Sequence, residues 1–325
     1  MRLLVTGSSG HLGEGLVRVL RAEGHTVVGL DLLESAHTDF VGSVTDRMVV
    51  AAAVEGADAV IHTATLHQPH IASHHTQAFI DTNISGTATL LEAAVEAGVG
   101  GFVFVSTTSA FGMALVPAPE APAAWITEDV TPIPRNIYGV TKVAAEDLCQ
   151  LAHREWDLAC VVVRVSRFFP EDDDHDDTRE RYVSENAKVN ELLFRRVDLA
   201  DAVSACQAAI HRAPSIGFRR YVISATTPFD RRDVLDLRRD APGVVRRYFP
   251  DFETVYALHG WKMFPTVDRV YANAKARQEL GWEPIYDFAW ALGRLRAGQH
   301  PISDLARTVG KKGYHSPPLG AHNPC

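Results

Sequence analysis

Two residues near the middle of the chain are spaced to handle a proton together. Tyr138-Gly139-Val140-Thr141-Lys142 sets a phenol and an ammonium at i and i+4, hence on one face of a helix. A unit positive charge about 4 Å from the phenol, at an effective dielectric near ~20, is worth roughly 4 kcal/mol or about three pKa units, so the pair is expected to bring Tyr138 towards neutrality. A tyrosine tuned in this way takes the proton of an alcohol or returns one to a ketone. The spacing also arises by chance on solvent-facing helices, so its weight depends on its surroundings. Upstream, Ser106-Thr107-Thr108-Ser109 gathers four hydroxyls at the end of a β-branched run.

The N-terminus supplies the other half of such chemistry. Thr6-Gly7-Ser8-Ser9-Gly10-His11-Leu12-Gly13 follows one strand pattern and opens a helical one. Glycines there allow a tight turn and a close backbone approach to a pyrophosphate, which the N–H groups and dipole of the helix stabilise. Gly7, Ser9, Gly10, His11, Leu12 and Gly13 are the candidate contacts. Asp31 ends the next strand pattern, 21 positions after Gly10, where a carboxylate accepts hydrogen bonds from ribose hydroxyls and repels a 2′-phosphate. Leu32 and Leu33 follow and offer no arginine to such a phosphate. The expected cofactor is NAD, not NADP.

These groups need a parallel sheet beneath them. Strands are expected at Leu3–Val5, Thr26–Leu30, Ala59–His62, Phe102–Ser106 and Leu158–Val165, with helices at His11–Glu23, Asp46–Glu55, Asn83–Ala97 and Tyr138–Glu155. The alternation predicts a Rossmann-type, doubly wound α/β fold with ligands beyond the carboxyl ends of the strands. Asp198 is expected to cap a helix reaching about Arg212, with a strand at 220–224. The expected division is an NAD-binding part, residues 1–165 plus about 197–225, and a smaller substrate lobe, about 166–196 plus 226–325.

Composition narrows the ligand class. Hydrophobic residues make up 46% and charged residues 22%, and 32 basic against 40 acidic residues give a net charge of −8. That balance gives no footprint for nucleic acid or an anionic membrane and favours a small-molecule substrate. Cys149, Cys160, Cys206 and Cys325 lack metal-ligand spacing and read as reduced thiols. Met1 leads directly into a strand pattern with no leader-like apolar run, and no apolar run approaches membrane-spanning length, so a cytoplasmic protein is expected.

Taken together, the TGxxGxxG turn, Asp31, Gly42-Ser43-Val44-Thr45-Asp46, Val60-Ile61-His62-Thr63-Ala64, Asp81-Thr82-Asn83-Ile84-Ser85-Gly86-Thr87, YxxxK and Leu280-Gly281-Trp282 resemble the extended short-chain dehydrogenase/reductase family, in its NAD-dependent epimerase/dehydratase branch. The resemblance implies that Ser43 and Val44 lie by adenine, Ala64 and Asn83 by the cofactor, and Lys142 on the nicotinamide ribose beside Tyr138. Ser43 departs from the aspartate common there. A family hydroxyl that bonds the reacting oxygen sits four places before an aromatic residue, and the count from Phe111 selects Thr107. The family's dehydratases carry Asp-Glu after that threonine. Thr108 and Ser109 stand here, which disfavours dehydration.

The substrate is less clearly marked. Nucleotide-sugar members of the resembled family carry an asparagine after the sixth strand, where Arg167 stands, and an arginine where Leu192 falls, near Arg195 and Arg196. Either Arg167, Arg195 and Arg196 bind phosphate by another geometry, or the substrate is not a nucleotide sugar. The leading expectation is a nucleotide-sugar epimerase working through a transient ketone. The alternatives are a net NAD-dependent alcohol dehydrogenase or ketoreductase, and an idle NAD-sensing scaffold. His67, just past a strand, and Thr108 are further candidate substrate contacts.

His62, His67, His70, His74 and His75 crowd one region, but without HExxH or a supporting ligand set they read as a polar loop and no metal is expected. The acidic run Glu171–Asp177 reads as a solvated loop and the tail from Gly310 as irregular. The helices at Asn83–Ala97 and Tyr138–Glu155 pair across a two-fold axis in the resembled family, which implies a homodimer. The competing reading spends their apolar faces on the chain's own sheet.

Overall fold

The apolar, β-branched segments assemble into one parallel sheet. The computed structural model describes residues 1–173 and 176–313, so Asp174, His175 and the tail from Tyr314 to Cys325 lie outside the described residues. Its strands are β1 (Arg2–Thr6), β2 (Thr26–Asp31), β3 (Phe40–Val41), β4 (Ala59–His62), β5 (Gly101–Thr107), β6 (Ala124–Ile126), β7 (Cys160–Val165), β8 (Phe218–Ile223) and β9 (Arg269–Tyr271). Seven of them form a sheet in the order β3-β2-β1-β4-β5-β7-β8, with every neighbouring pair parallel. This is the doubly wound Rossmann-type architecture. The order reverses between β1 and β4, which opens a crevice at the carboxyl ends of those strands.

Both faces of the sheet are covered, as the near-continuous apolar strands require. One face packs against His11–Ala22 and Leu199–Ile216 through Leu16, Val17, Leu20, Val203, Ala209 and Ile210. The other packs against Arg47–Val54, Gly86–Glu96 and Ile137–Trp156 through Val50, Leu90, Ala94, Ala145, Cys149 and Ala152. A third cluster, with Ala123, Leu193, Phe194, Leu237, Val245, Phe252, Tyr256 and Phe288, gathers the later helices. Beside it β6 and β9 form a two-stranded parallel ladder. Among the described residues no helix is long and apolar enough to cross a membrane.

Local chemistry sets the helix starts. Asp198 accepts the Ala200 N–H at 2.8 Å and caps its helix as expected, although that helix runs on to Ile216. Asn136 accepts the Gly139 N–H at 3.0 Å and so fixes the start of the helix carrying Tyr138 and Lys142. The helix expected from Asn83 differs. Its α-helical part is Gly86–Glu96, entered through a wider π-type turn at Ile80–Ser85 that buries Asn83. A Cβ at Gly86 would lie 2.6 Å from a Val44 methyl, so this helix comes close against the loop carrying Val44.

Candidate active site

The turn after β1 is built for close approach. Gly7 has φ +70°, and a Cβ there would lie 2.7 Å from the Ala64 nitrogen. A Cβ at Gly13 would lie 1.9 Å from the Gly7 carbonyl oxygen. Gly10 precedes the helix with no side-chain cap, so the first N–H groups face the crevice. Asp31 accepts the Ser9 N–H at 2.9 Å and the Leu33 N–H at 2.9 Å, which plants its carboxylate at the rim of this turn. Bare glycine cradle and acidic rim together fit a dinucleotide.

A cavity of about 570 Å³ runs from this turn across the sheet ends. Gly7, Ser9, Gly10, His11, Leu12, Gly13, Asp31, Ser43, Val44, Ala64, His67, Thr107, Thr108, Tyr138, Arg167 and Arg195 all line it. Lys142, Asn83 and Arg196 stand behind its wall. Asn83 is buried, accepts from the Leu66 N–H at 2.8 Å and from the Thr65 hydroxyl at 2.9 Å, and donates to Thr141 at 3.0 Å. It therefore joins the loop after β4 to the Tyr138 helix, instead of facing the cavity.

The end of β5 sorts its own hydroxyls. Ser106 donates to Glu146 at 2.6 Å, behind the sheet, where Glu146 also receives Arg164 at 2.7 Å and Arg220 at 3.0 Å. Thr107 accepts the Ser109 N–H at 3.0 Å, lines the cavity beside Tyr138 and eases ionisation of its phenol.

The electrostatics depart from the sequence expectation. Burial pushes the Tyr138 phenol up to about 12, against a smaller downward pull from Thr107. Lys142 Nζ donates to the Val105 carbonyl at 2.7 Å and sits 4.0 Å from the Phe104 ring centroid. Burial lowers its amine to about 7, opposed by the negative charge of Glu146. The expected lowering of Tyr138 is therefore not found, because desolvation outweighs any help from an ammonium bonded to Val105.

The histidines separate into different roles. His62 bonds Thr6 at 2.7 Å and Thr87 at 3.0 Å in the core, and burial takes it down to about 3, so it is a neutral tie between strand and helix. His67 faces the cavity with its ring stacked on Phe169 at 5.2 Å, and its N–H donates to His70 Nδ1 at 3.0 Å. Burial, then the neighbouring His74, lowers His70 to about 4. Among the described residues no His/Cys/Asp/Glu group is arranged to hold a metal ion.

The three arginines share a partner that the sequence reading missed. Glu191 is buried and receives Arg195 at 2.8 Å, Arg196 at 2.8 Å and Arg167 at 3.3 Å. Burial opposes its ionisation, but these guanidiniums hold it far below the usual carboxylate range. Arg167 also pairs with Asp173, and Arg269, which lines the cavity from β9 with Tyr271, pairs with Asp268. Arg167, Arg195, Arg196 and Arg269 thus meet the carboxylates of Glu191, Asp173 and Asp268. The acidic run is not wholly solvated either. Glu171 bonds His11 Nε2 at 2.9 Å and the Lys312 N–H at 2.7 Å, which outweigh burial and bring it down to about 2. Asp176–Arg181 is helical. The spacing of Glu191 to Arg195 and the alternation of Arg269 and Tyr271 were the available signals.

Comparison with known proteins fixes the lineage. Residues 3–210 match the sequence profile of the NAD dependent epimerase/dehydratase family. The chain belongs to that family. It is an enzyme of the extended short-chain dehydrogenase/reductase type, and its cofactor is NAD. Within the family it is 28% identical over 329 residues to the 3-beta-hydroxysteroid dehydrogenase of Mycolicibacterium neoaurum, covering 88% of this chain and 87% of that one. It is 27% identical over 331 residues to the UDP-glucose 4-epimerase of Rhizobium meliloti, covering 88% and 93%. A shorter match, 30% over 184 residues to the low-salt glycan biosynthesis protein Agl12 of Haloferax volcanii, spans 52% of this chain and 57% of that protein. The fold is similar to that of a short-chain dehydrogenase/reductase superfamily protein from Agrobacterium tumefaciens solved with bound NAD, at TM-score 0.65 and 24% identity, covering 95% and 97%.

Proposed function

We propose that the protein oxidises and re-reduces a secondary alcohol carbon, and that its substrate is a nucleotide sugar inverted through a transient ketone. The placing of Tyr138 and Thr107 together on the cavity wall, beside the glycine turn and Asp31, carries this reading. Bound NAD supplies a hydride acceptor when oxidised and a donor when reduced. Thr107 and Tyr138 hold the substrate oxygen; ionised Tyr138, whose burial cost the positive charge of oxidised NAD would offset, takes the carbinol proton as the ketone forms and returns it on reduction. Lys142, bonded to Val105 behind the cavity wall, steadies the helix face behind the phenol, and would reach the nicotinamide ribose only with a donor not spent on Val105. Asp31 takes the adenosine ribose, with Ser43, Val44 and Ala64 along the cofactor. The Arg195 and Arg269 guanidiniums on the cavity wall, and the likeness to a UDP-glucose 4-epimerase, support a substrate diphosphate.

A second reading is a net dehydrogenase acting on an uncharged alcohol. It is favoured by Glu191, which engages Arg167 and Arg195, by the aromatic wall of Phe168, Phe169 and Tyr271, and by the likeness to a steroid dehydrogenase. Gel-filtered protein incubated with a UDP-hexose panel, without added cofactor, tests the first reading. Inversion with retained cofactor supports it. Stoichiometric NADH release from uncharged secondary alcohols, with no inversion, supports the second. For a scaffold without catalysis, Tyr138→Phe would leave every activity of the protein unchanged. The exposed Val140 and Leu151, on one face of the Tyr138 helix, support a homodimer through that face, which sedimentation tests.

A further inference from the structure

Behind the loop carrying Phe168 and Phe169 lies a second cavity of about 320 Å³. Much of its wall is apolar, contributed by Val189, Leu192, Val197, Leu199, Pro301 and Ile302. Two cations are set into that wall. Arg196, 7% exposed, donates from Nη1 to the Phe169 carbonyl at 3.1 Å and from Nε to Glu191 at 2.8 Å. Lys188, half-buried, donates from Nζ to the Pro170 carbonyl at 2.5 Å and to the Ser184 hydroxyl at 2.8 Å.

The cations around Lys188 already have carboxylate partners. Lys311 pairs with Asp172 at 3.0 Å, His300 with Glu185 at 2.8 Å and Arg307 with Asp304 at 3.1 Å. Among the described residues Lys188 has no carboxylate at ion-pair distance and uses two neutral acceptors, while an ammonium carries three donors. Burial, and then the neighbouring Arg196, lower its amine to about 8. Asp172 and Glu171 favour the charge only from beyond ion-pair distance, so the ammonium, set in a largely apolar wall, lacks a bonded counter-charge, and an anion beside it supplies one.

We infer that this cavity binds a small organic monocarboxylate with an apolar body, its carboxylate against Lys188 and its body against Leu199 and Ile302. One negative charge matches the one lining cation that, among the described residues, has no carboxylate at ion-pair distance. Asp172, Glu185 and Asp198 also line the cavity and set themselves against a dianion such as phosphate. Lys188 and Arg196 hold the carbonyls of Pro170 and Phe169, in the loop whose other side lines the cofactor cavity, so the ligand bears on that loop as well. The inference does not depend on which alcohol the enzyme oxidises.

Isothermal titration of the full chain with octanoate at neutral pH tests it, with 1-octanol and sulfate as companion probes. Saturable one-site binding of octanoate is expected, at least tenfold weaker in Lys188→Met and abolished in Ile302→Trp, which fills the cavity while leaving Lys188 in place. Each variant is first shown to keep the wild-type melting temperature and NADH affinity, and either one alone suffices to locate the site. Octanol binding as tightly as octanoate would overturn the charge argument. Sulfate binding in preference would overturn the apolar one. Absence of octanoate binding, or binding unchanged in a folded variant, would overturn the site.

Discussion

Lys142 Nζ donates to the Val105 carbonyl at 2.7 Å, so the ammonium is bonded to β5, while burial governs the Tyr138 phenol. In the free enzyme the phenol is therefore a protonated acid, raised to about 12 by burial. The near-ultraviolet phenolate signal lost in Tyr138→Phe is expected to titrate above the ordinary tyrosine range. A Tyr138 phenolate near pH 7 in free enzyme would restore the lowering that the i,i+4 spacing suggested.

Asp31 sets cofactor choice through one carboxylate held by the N–H groups of Ser9 and Leu33. Asp31→Asn keeps an acceptor and removes the charge. The ratio of NADPH to NADH dissociation constants is expected to fall by about tenfold or more, since like-charge juxtaposition costs at least the ~1.4 kcal/mol that tenfold represents. Fluorescence titrations with both cofactors check this, and an unchanged ratio would move discrimination elsewhere.

Gly13→Ala probes the cradle. The added methyl would lie 1.9 Å from the Gly7 carbonyl oxygen, a backbone atom with no rotamer to escape by. A loss of roughly 1–3 kcal/mol of stability is expected from overpacking, together with loss of NADH binding. Urea unfolding and NADH titration would read both.

Glu191→Gln probes the arginine cluster. Removing the shared charge leaves buried Arg196 without its partner, for an expected loss of about 3–5 kcal/mol at pH 7. The Glu191 carboxyl is lowered on folding, so its contribution is full above the unfolded value of 4.5 and fades as pH falls below it. Urea midpoints of wild type and variant should converge in acid. A gap that widens in acid would contradict the assignment.

The parts of the site that follow one another in sequence were legible there. Gly7 to Gly13 sits between β1 and its helix, Asp31 ends β2, and Tyr138 and Lys142 share a helix, so strand-turn-helix context was enough to place them. What depends on side-chain direction was not. Asn83 was expected at the cofactor but turns towards Leu66 and Thr141, and nothing in the spacing of Tyr138 and Lys142 says that the ammonium meets Val105. The short strands β6 and β9 escaped because three-residue segments carry little periodicity and pair across a long stretch of chain. Glu191 escaped because its three arginines come from two separate segments.

The central claim is that Tyr138 carries the proton of the reaction. Its most direct test is the turnover of Tyr138→Phe on whichever alcohol or UDP-sugar the wild-type enzyme transforms, measured beside its NADH affinity. A fall of about 10²- to 10⁴-fold in kcat with NADH affinity intact is expected from loss of a general acid–base group. Wild-type turnover by a folded, NADH-binding Tyr138→Phe would contradict it.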